Sequence, residues 1–143
     1  MAEVNQEIIA CFPQWGNYSY AFKFLIERGF GVKYQTPPPI TRRTLELGSR
    51  HSPDYVCVPF KYCLGCYIEA LEQGANCLMQ IFGACRLNYY GELAAQILSD
   101  MGYKFQFMNM AEIKWTSPRS IMEHMKMINP NVSITKVVAA LPT

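Results

Sequence analysis

Apolar and polar positions along the chain alternate between two rhythms. Residues 7–12 (EIIACF) form a short apolar run ending at Pro13, the length and composition of a buried strand. After a turn at Trp15, Gly16 and Asn17, apolar side chains recur at helical spacing as Tyr18, Phe22, Leu25 and Ile26, with Asn17 as the cap and Gly29 as the stop. Residues 31–36 read as a second strand closed by Pro37, Pro38 and Pro39, and Thr41 caps a short helix over 42–47 that Gly48 ends. Residues 55–58 read as a third strand, interrupted at Pro59. A helix over 62–73 carries Leu64, Tyr67, Ile68 and Leu71 on one face and stops at Gly74. The uniformly apolar run 77–82 (CLMQIF) predicts a fourth strand covered on both sides. A helix with Leu93, Ala94, Ile97, Leu98 and Met101 inward ends at Gly102, and residues 104–108 supply a fifth strand. Ser117 and Pro118 then open a helix whose stripe is Ile121, Met122, Met125 and Ile128, ended by Asn129 and Pro130.

Strands alternating with helices across short connections predict an α/β fold: a doubly wound, mostly parallel five-stranded Rossmann-like sheet with helices on both faces. Residues 1–130 make this lobe, and residues 131–143 read as the start of a C-terminal helix, so the chain is expected to be one lobe of a longer protein. No internal repeat, no low-complexity segment and no phosphate-cradling glycine loop of the G-x-x-x-x-G-K-[ST] or G-x-G-x-x-G type occurs.

Composition narrows the function. The 143 residues are enough for one core, since a chain of this size buries roughly 68–70% of its unfolded surface. Half the residues are hydrophobic, 17% are charged and the formal charge is +2, with no basic run beyond Arg42 and Arg43, which argues against nucleic acid as a partner. No apolar segment reaches the roughly 18 residues of a membrane span, and the N-terminus has neither a basic region nor a long apolar one. The expectation is a cytoplasmic protein with no membrane partner. The six cysteines are then expected to include metal ligands or catalytic thiols rather than to form a disulfide framework.

Five of those six cysteines fall between Asp54 and Tyr90. Cys57 and Cys85 each follow an apolar run read as a strand, and each has a basic residue close behind, Lys61 and Arg86. In an open parallel sheet ligands gather outside the carboxyl ends of the strands, so two thiols there can hold a metal cluster, run redox chemistry or pack. Cys11, near the end of the first strand, points to the same edge and is a third candidate ligand, whereas Cys77 opens its strand and is read as core. Cys63 and Cys66 form a C-x-x-C at a helix start, a spacing shared by dithiol redox sites and half of many zinc sites. His51 and His124 stand in polar surroundings and are read as surface residues, and the methionines match core positions.

The ordered motifs FPQWGN (12–17), PPPIT (37–41), TLELG (44–48), CVPFK (57–61), Leu64-Gly65, IEALE (68–72), Gly74-Ala75 and Cys85-Arg86 with Tyr89-Tyr90 resemble the activase-related proteins of the 2-hydroxyacyl-CoA dehydratase and benzoyl-CoA reductase superfamily. The likeness spans about residues 8–107. It implies an iron-sulfur protein built of Rossmann-like lobes, with a 4Fe-4S cluster or a double cubane passing low-potential electrons. By the same resemblance Cys57 and Cys85 are cluster cysteines. Where the family carries Gly-Pro this chain has Gly83 and Ala84, where it carries glycine this chain has Asn88, and where it carries a polar residue this chain has Cys66. That last departure brings Cys66, with Cys63 beside it, into the candidate ligand set.

The function expected from the sequence is an iron-sulfur lobe for low-potential electron transfer or reductive activation linked to acyl-CoA dehydratase or reductase chemistry, a component that is not active alone. Lys61 and Arg86 would offset the negative charge of a reduced cluster. The expected partners are an ATP-hydrolysing activator protein or domain, an acyl-CoA dehydratase or reductase, and further copies of the chain in a homo-oligomer. Two other readings stay open: a non-catalytic α/β interaction module with inert cysteines, and a dithiol redox module using Cys63 and Cys66.

Overall fold

Capping side chains set where the helices begin. Thr41 accepts a hydrogen bond from the Thr44 N–H while the Thr44 hydroxyl accepts from the Thr41 N–H, a reciprocal box at the start of α2 (Arg42–His51). Ser117 accepts from the Ser120 N–H at the start of α5 (Pro118–Ile128), where proline needs no N–H of its own. The computed structural model describes residues 7–80, 89–110, 114, 116–133 and 135–136. Their other elements are β1 (Ile9–Cys11), a 3-10 turn (Gly16–Tyr18), α1 (Ser19–Phe24), a π-helical turn (Leu25–Phe30), β2 (Lys33–Tyr34), α3 (Val58–Glu72), β3 (Cys77–Gln80), α4 (Tyr90–Asp100) and β4 (Gln106–Asn109).

Four strands, all parallel, make one sheet in the order β2-β1-β3-β4 among the described residues. The register pairs Ala10 with both Tyr34 and Cys77, and Leu78 with both Cys11 and Phe107. The chain therefore steps outward from β1 to β2, crosses back over β1 through α2 and α3, and continues outward on the other side. The reversal lies between β1 and β3, the place where open α/β sheets leave a crevice. Alternation along the strands separates two cores. Ala10, Phe12, Cys77, Met79 and Met108 pack with Ile26, Phe30, Met125 and Ile128, while Cys11 and Leu78 pack with Phe60, Leu64, Tyr67, Ile68, Ala94 and Leu98. Helices thus cover both faces, as expected.

Several expectations are corrected. Residues 55–58 are not a strand: Cys57 is the N-cap of α3, and Pro59 sits in its first turn, where the missing N–H costs no helical hydrogen bond. Gly48 does not stop α2, which runs on to His51. Its missing side chain instead admits α3: a Cβ there would lie 1.7 Å from the Lys61 carbonyl oxygen, and one at Gly65 would lie 1.9 Å from that of Thr44. Asn17 lies inside the 3-10 turn rather than capping it, and the Gln14 side-chain oxygen instead accepts from the Gly16 N–H and the Ser19 hydroxyl. Tyr18 is exposed rather than inward. The first helical segment passes Gly29 and ends at Gly31, whose φ of 66° is left-handed. The expected helix over 131–143 lies mostly outside the described residues, as do residues 81 and 82 of the fourth expected strand.

The α2–α3 pair has a polar seam as well as a glycine one. The buried Thr44 hydroxyl donates to Glu69 at 2.7 Å, and Arg43 reaches Glu72 at 2.7 Å and Glu69 at 3.9 Å. The carboxylate that the crossing buries is therefore partnered from two sides.

Candidate functional site

The carboxyl edge of the sheet is assembled from the loop after β1, the first half of α3, the last residue of β3 and the start of α4. Because α3 leads into β3, its N-terminus lies at the edge where the strands end. Pro13, Trp15, Phe60, Cys63, Tyr67, Gln80, Tyr90 and Ala94 meet there around a slot at the β1–β3 reversal. Phe60 and Tyr90 pack edge to face, with centroids 5.1 Å apart, and the Tyr67 hydroxyl donates to the Met79 carbonyl at 3.2 Å. The free volume is about 10 Å³, room for about one water molecule.

Around the slot the thiols divide by burial. Cys57 is exposed and is the N-cap of α3, with its carbonyl accepting from the Phe60 N–H at 3.0 Å and Pro59 bringing no N–H to the opening turn. Lys61 follows one turn later, and its N–H donates to the Cys57 carbonyl at 3.3 Å. Cys11 is buried under α3, and its thiol is pushed up to about 12 by burial and by the neighbouring Cys66. Cys63 is also pushed up to about 12, by burial first and then by Cys66 and Cys57. Burial raises Cys66 too, against the opposing pull of hydrogen bonds at Gln14 and Tyr62. Cys77 is buried at the far end of β3 on the other face, raised by burial to about 11.

Cys63 and Cys66 are the sixth and ninth residues of a helix that starts at Val58, past its opening turn, where the helix dipole acts most strongly. A reactive dithiol draws on a lowered thiol pKa, and here both thiols move the other way. Cys11, Cys63 and Cys66 are held as protonated thiols at neutral pH.

The shifts have a consequence for stability. Cys11, Cys63 and Cys77 keep their protons to higher pH in the folded chain than at the ordinary value of 9.0. Above about pH 9 the unfolded chain binds fewer protons than the folded one, so stability is full below that pH and falls as pH rises toward about 11 or 12. The urea midpoint should drop steadily from about pH 9 to pH 11. A midpoint unchanged over that range would mean that these thiols titrate alike in both states.

Of the site residues expected from the sequence, the structure places Cys57 and Lys61 on the rim and Cys11, Cys63 and Cys66 in the layer beneath it. Cys85 and Arg86 lie outside the described residues. Among the described residues no three His, Cys, Asp or Glu side chains come together as a metal-holding group, and the five cysteines described are free thiols. His51 is part-exposed, and His124 Nδ1 lies 2.8 Å from the Ser120 carbonyl oxygen. No described helix is long and apolar enough to cross a membrane.

No family model, no curated protein and no solved structure matches this chain.

Sequence reasoning missed Tyr62, Gln80 and Gln14 as parts of this edge. The Tyr62 hydroxyl donates to the Gln14 carbonyl across 48 residues of sequence, and Gln80 reaches the slot only because β3 pairs beside β1. Trp15 carried a signal, since a tryptophan beside glycine in a turn after a strand is a large side chain placed where ligands gather.

Proposed function

We propose that the carboxyl rim holds an iron-sulfur cluster and that the chain serves low-potential electron transfer or reductive activation linked to acyl-CoA chemistry. One observation carries the reading: Cys57, in the CVPFK motif, is the thiol that α3 presents to the outside at the edge of a doubly wound parallel sheet. Its donor chemistry fits. The sulfur is accessible, and the positive end of the α3 dipole favours an anionic group. Cys57 and Cys85 would hold the cluster, with Lys61 and Arg86 offsetting its charge. Such a cluster, when bound, supplies one-electron transfer at low potential. The chain's own contribution is the ligand, the nearby cation and an apolar wall formed by Phe60, Tyr67 and Tyr90. Cys11, Cys63 and Cys66 are reserve ligands in this proposal, since each would first have to lose a proton that burial holds in place.

A Rossmann-like lobe in the cytoplasm, working with an ATP-hydrolysing activator and in a homo-oligomer, completes the proposal. Full-length protein purified without oxygen should be brown, with broad absorbance near about 400 nm and iron bound. A colourless, iron-free preparation that resists anaerobic reconstitution would overturn it.

A second reading has its own support. Tyr55, Val58 and Tyr89 are exposed on the same rim, an apolar surface of the kind that interaction modules use.

A further inference from the structure

Residues 13–17 cross the mouth of the slot as a short strap whose ties are unevenly placed. It is bound to α3 at Gln14, whose carbonyl accepts from the Tyr62 hydroxyl and whose backbone also hydrogen-bonds Cys66. Local hydrogen bonds add to these: the Gln14 side-chain oxygen accepts from the Gly16 N–H at 3.1 Å and from the Ser19 hydroxyl at 2.9 Å. Gly16 has a φ of +61°, and a Cβ built there would meet nothing within 4 Å. The strap therefore has a left-handed hinge with open space around it. Trp15, 39% exposed, and Pro13 form the wall opposite Cys63, Tyr67 and Gln80.

As the described residues line it, the slot has room for about one water, with the half-buried Cys63 in its wall. No described side chain of its lining carries a charge. We infer that residues 13–17 are a hinged strap, latched by Tyr62, that governs the entry of small uncharged molecules to the Cys63 thiol. Swinging out Trp15 breaks the ties of Gln14 to Tyr62 and Cys66 and none within the sheet, so the open form is reachable without unfolding it. The class of molecule the opened slot accepts is set by its described walls: small, uncharged and able to lie against aromatic side chains. This inference does not depend on a cluster at the rim and is tested on the metal-free full chain.

Alkylation by iodoacetamide, followed residue by residue by peptide mass, reads the opening. The Cys63 thiol gives its proton to solvent, its sulfur bonds to the reagent's methylene carbon, and iodide leaves. Tyr62→Phe keeps the ring and removes the latch, so Cys63 should react roughly fivefold to tenfold faster than in the parent protein, the scale of one lost hydrogen bond. Gly16→Ala strains the hinge in its closed form and should also speed Cys63 by about fivefold. Cys77, buried at the other end of the sheet and on its other face, should stay equally slow in all three proteins. Iodoacetate, of similar size but charged, should gain less than iodoacetamide. Equal Cys63 rates in the three proteins, a rise at Cys77 matching that at Cys63, or an equal gain for the charged reagent would each overturn the inference.

Discussion

Replacing Gly65 with alanine is expected to cost the folded protein about 3 kcal/mol or more, and Gly48→Ala a similar amount. In an ordinary helix interior the same change would stabilise by roughly 0.5–1 kcal/mol, because glycine loses more freedom on folding. Here the sign reverses, since the new methyl would sit 1.9 Å from the Thr44 carbonyl oxygen or 1.7 Å from that of Lys61. Both obstacles are backbone, so relief requires the helices to move apart. That movement would also stretch the 2.7 Å hydrogen bond from Thr44 to the buried Glu69. Against a total stability of about 5–15 kcal/mol such a loss is large. Urea denaturation of each variant measures it. Gly102, with a φ of +88° and nothing near its absent Cβ, is the comparison: alanine there should cost only about 1–2 kcal/mol. If Gly65→Ala unfolded within about 0.5 kcal/mol of the parent, the close crossing of α2 and α3 would not exist in solution.

Cys57→Ser should remove most or all bound iron from anaerobically prepared protein while leaving the fold intact, and Cys85→Ser should do the same. Cys57 is exposed, and its side chain makes no capping hydrogen bond on α3, so serine should be tolerated there. The expected separation is between metal and fold: far-ultraviolet circular dichroism unchanged, iron content lost. Cys11→Ser should behave in the opposite way, because it places a hydroxyl in an apolar layer among Leu64, Tyr67 and Leu78 and should destabilise by about 1–3 kcal/mol with little direct effect on iron. If the Cys57→Ser, Cys85→Ser double variant kept its full iron content, the cluster assignment would fail. If the parent held no iron and the double variant still bound a partner protein, the interaction reading would take its place.

The layered α/β arrangement was legible because its signals are local. The apolar run at 77–80, the cap residues Thr41 and Ser117, and the glycines after α3 and α4 each act within a few residues of themselves. The misreadings occurred where a distant partner decides. The segment YVCVP has the β-branched, apolar look of a strand, yet Pro59 fits the opening turn of a helix, and the sheet uses β1 and β3 side by side instead. Gly48 looks like a helix stop until α3 is laid against it, and the Lys61 carbonyl that explains it lies 13 residues away. Cys63 and Cys66 looked like a helix-start dithiol because the helix was expected to begin at Tyr62. Beginning at Val58 moves them into its interior and leaves Cys57 at the tip. The site was thus half legible. The motif holding Cys57 and Lys61 stands out in the sequence, whereas the strap and its Tyr62 latch depend on contacts that no spacing reveals.

The two sides of the sheet are filled with different materials. On the α5 side, Met79, Met108, Met110 and Met125 lie among the rings of Phe12, Phe30 and Tyr34 and the branched Ile26 and Ile128. The buried layer on the α3 side has rings, branched aliphatics and alanines, and no buried methionine among the described residues. Unbranched thioethers adjust to irregular gaps more readily than rings and branched groups do. Changes of side-chain volume should therefore be absorbed more readily behind α5 than in the layer beneath Cys57.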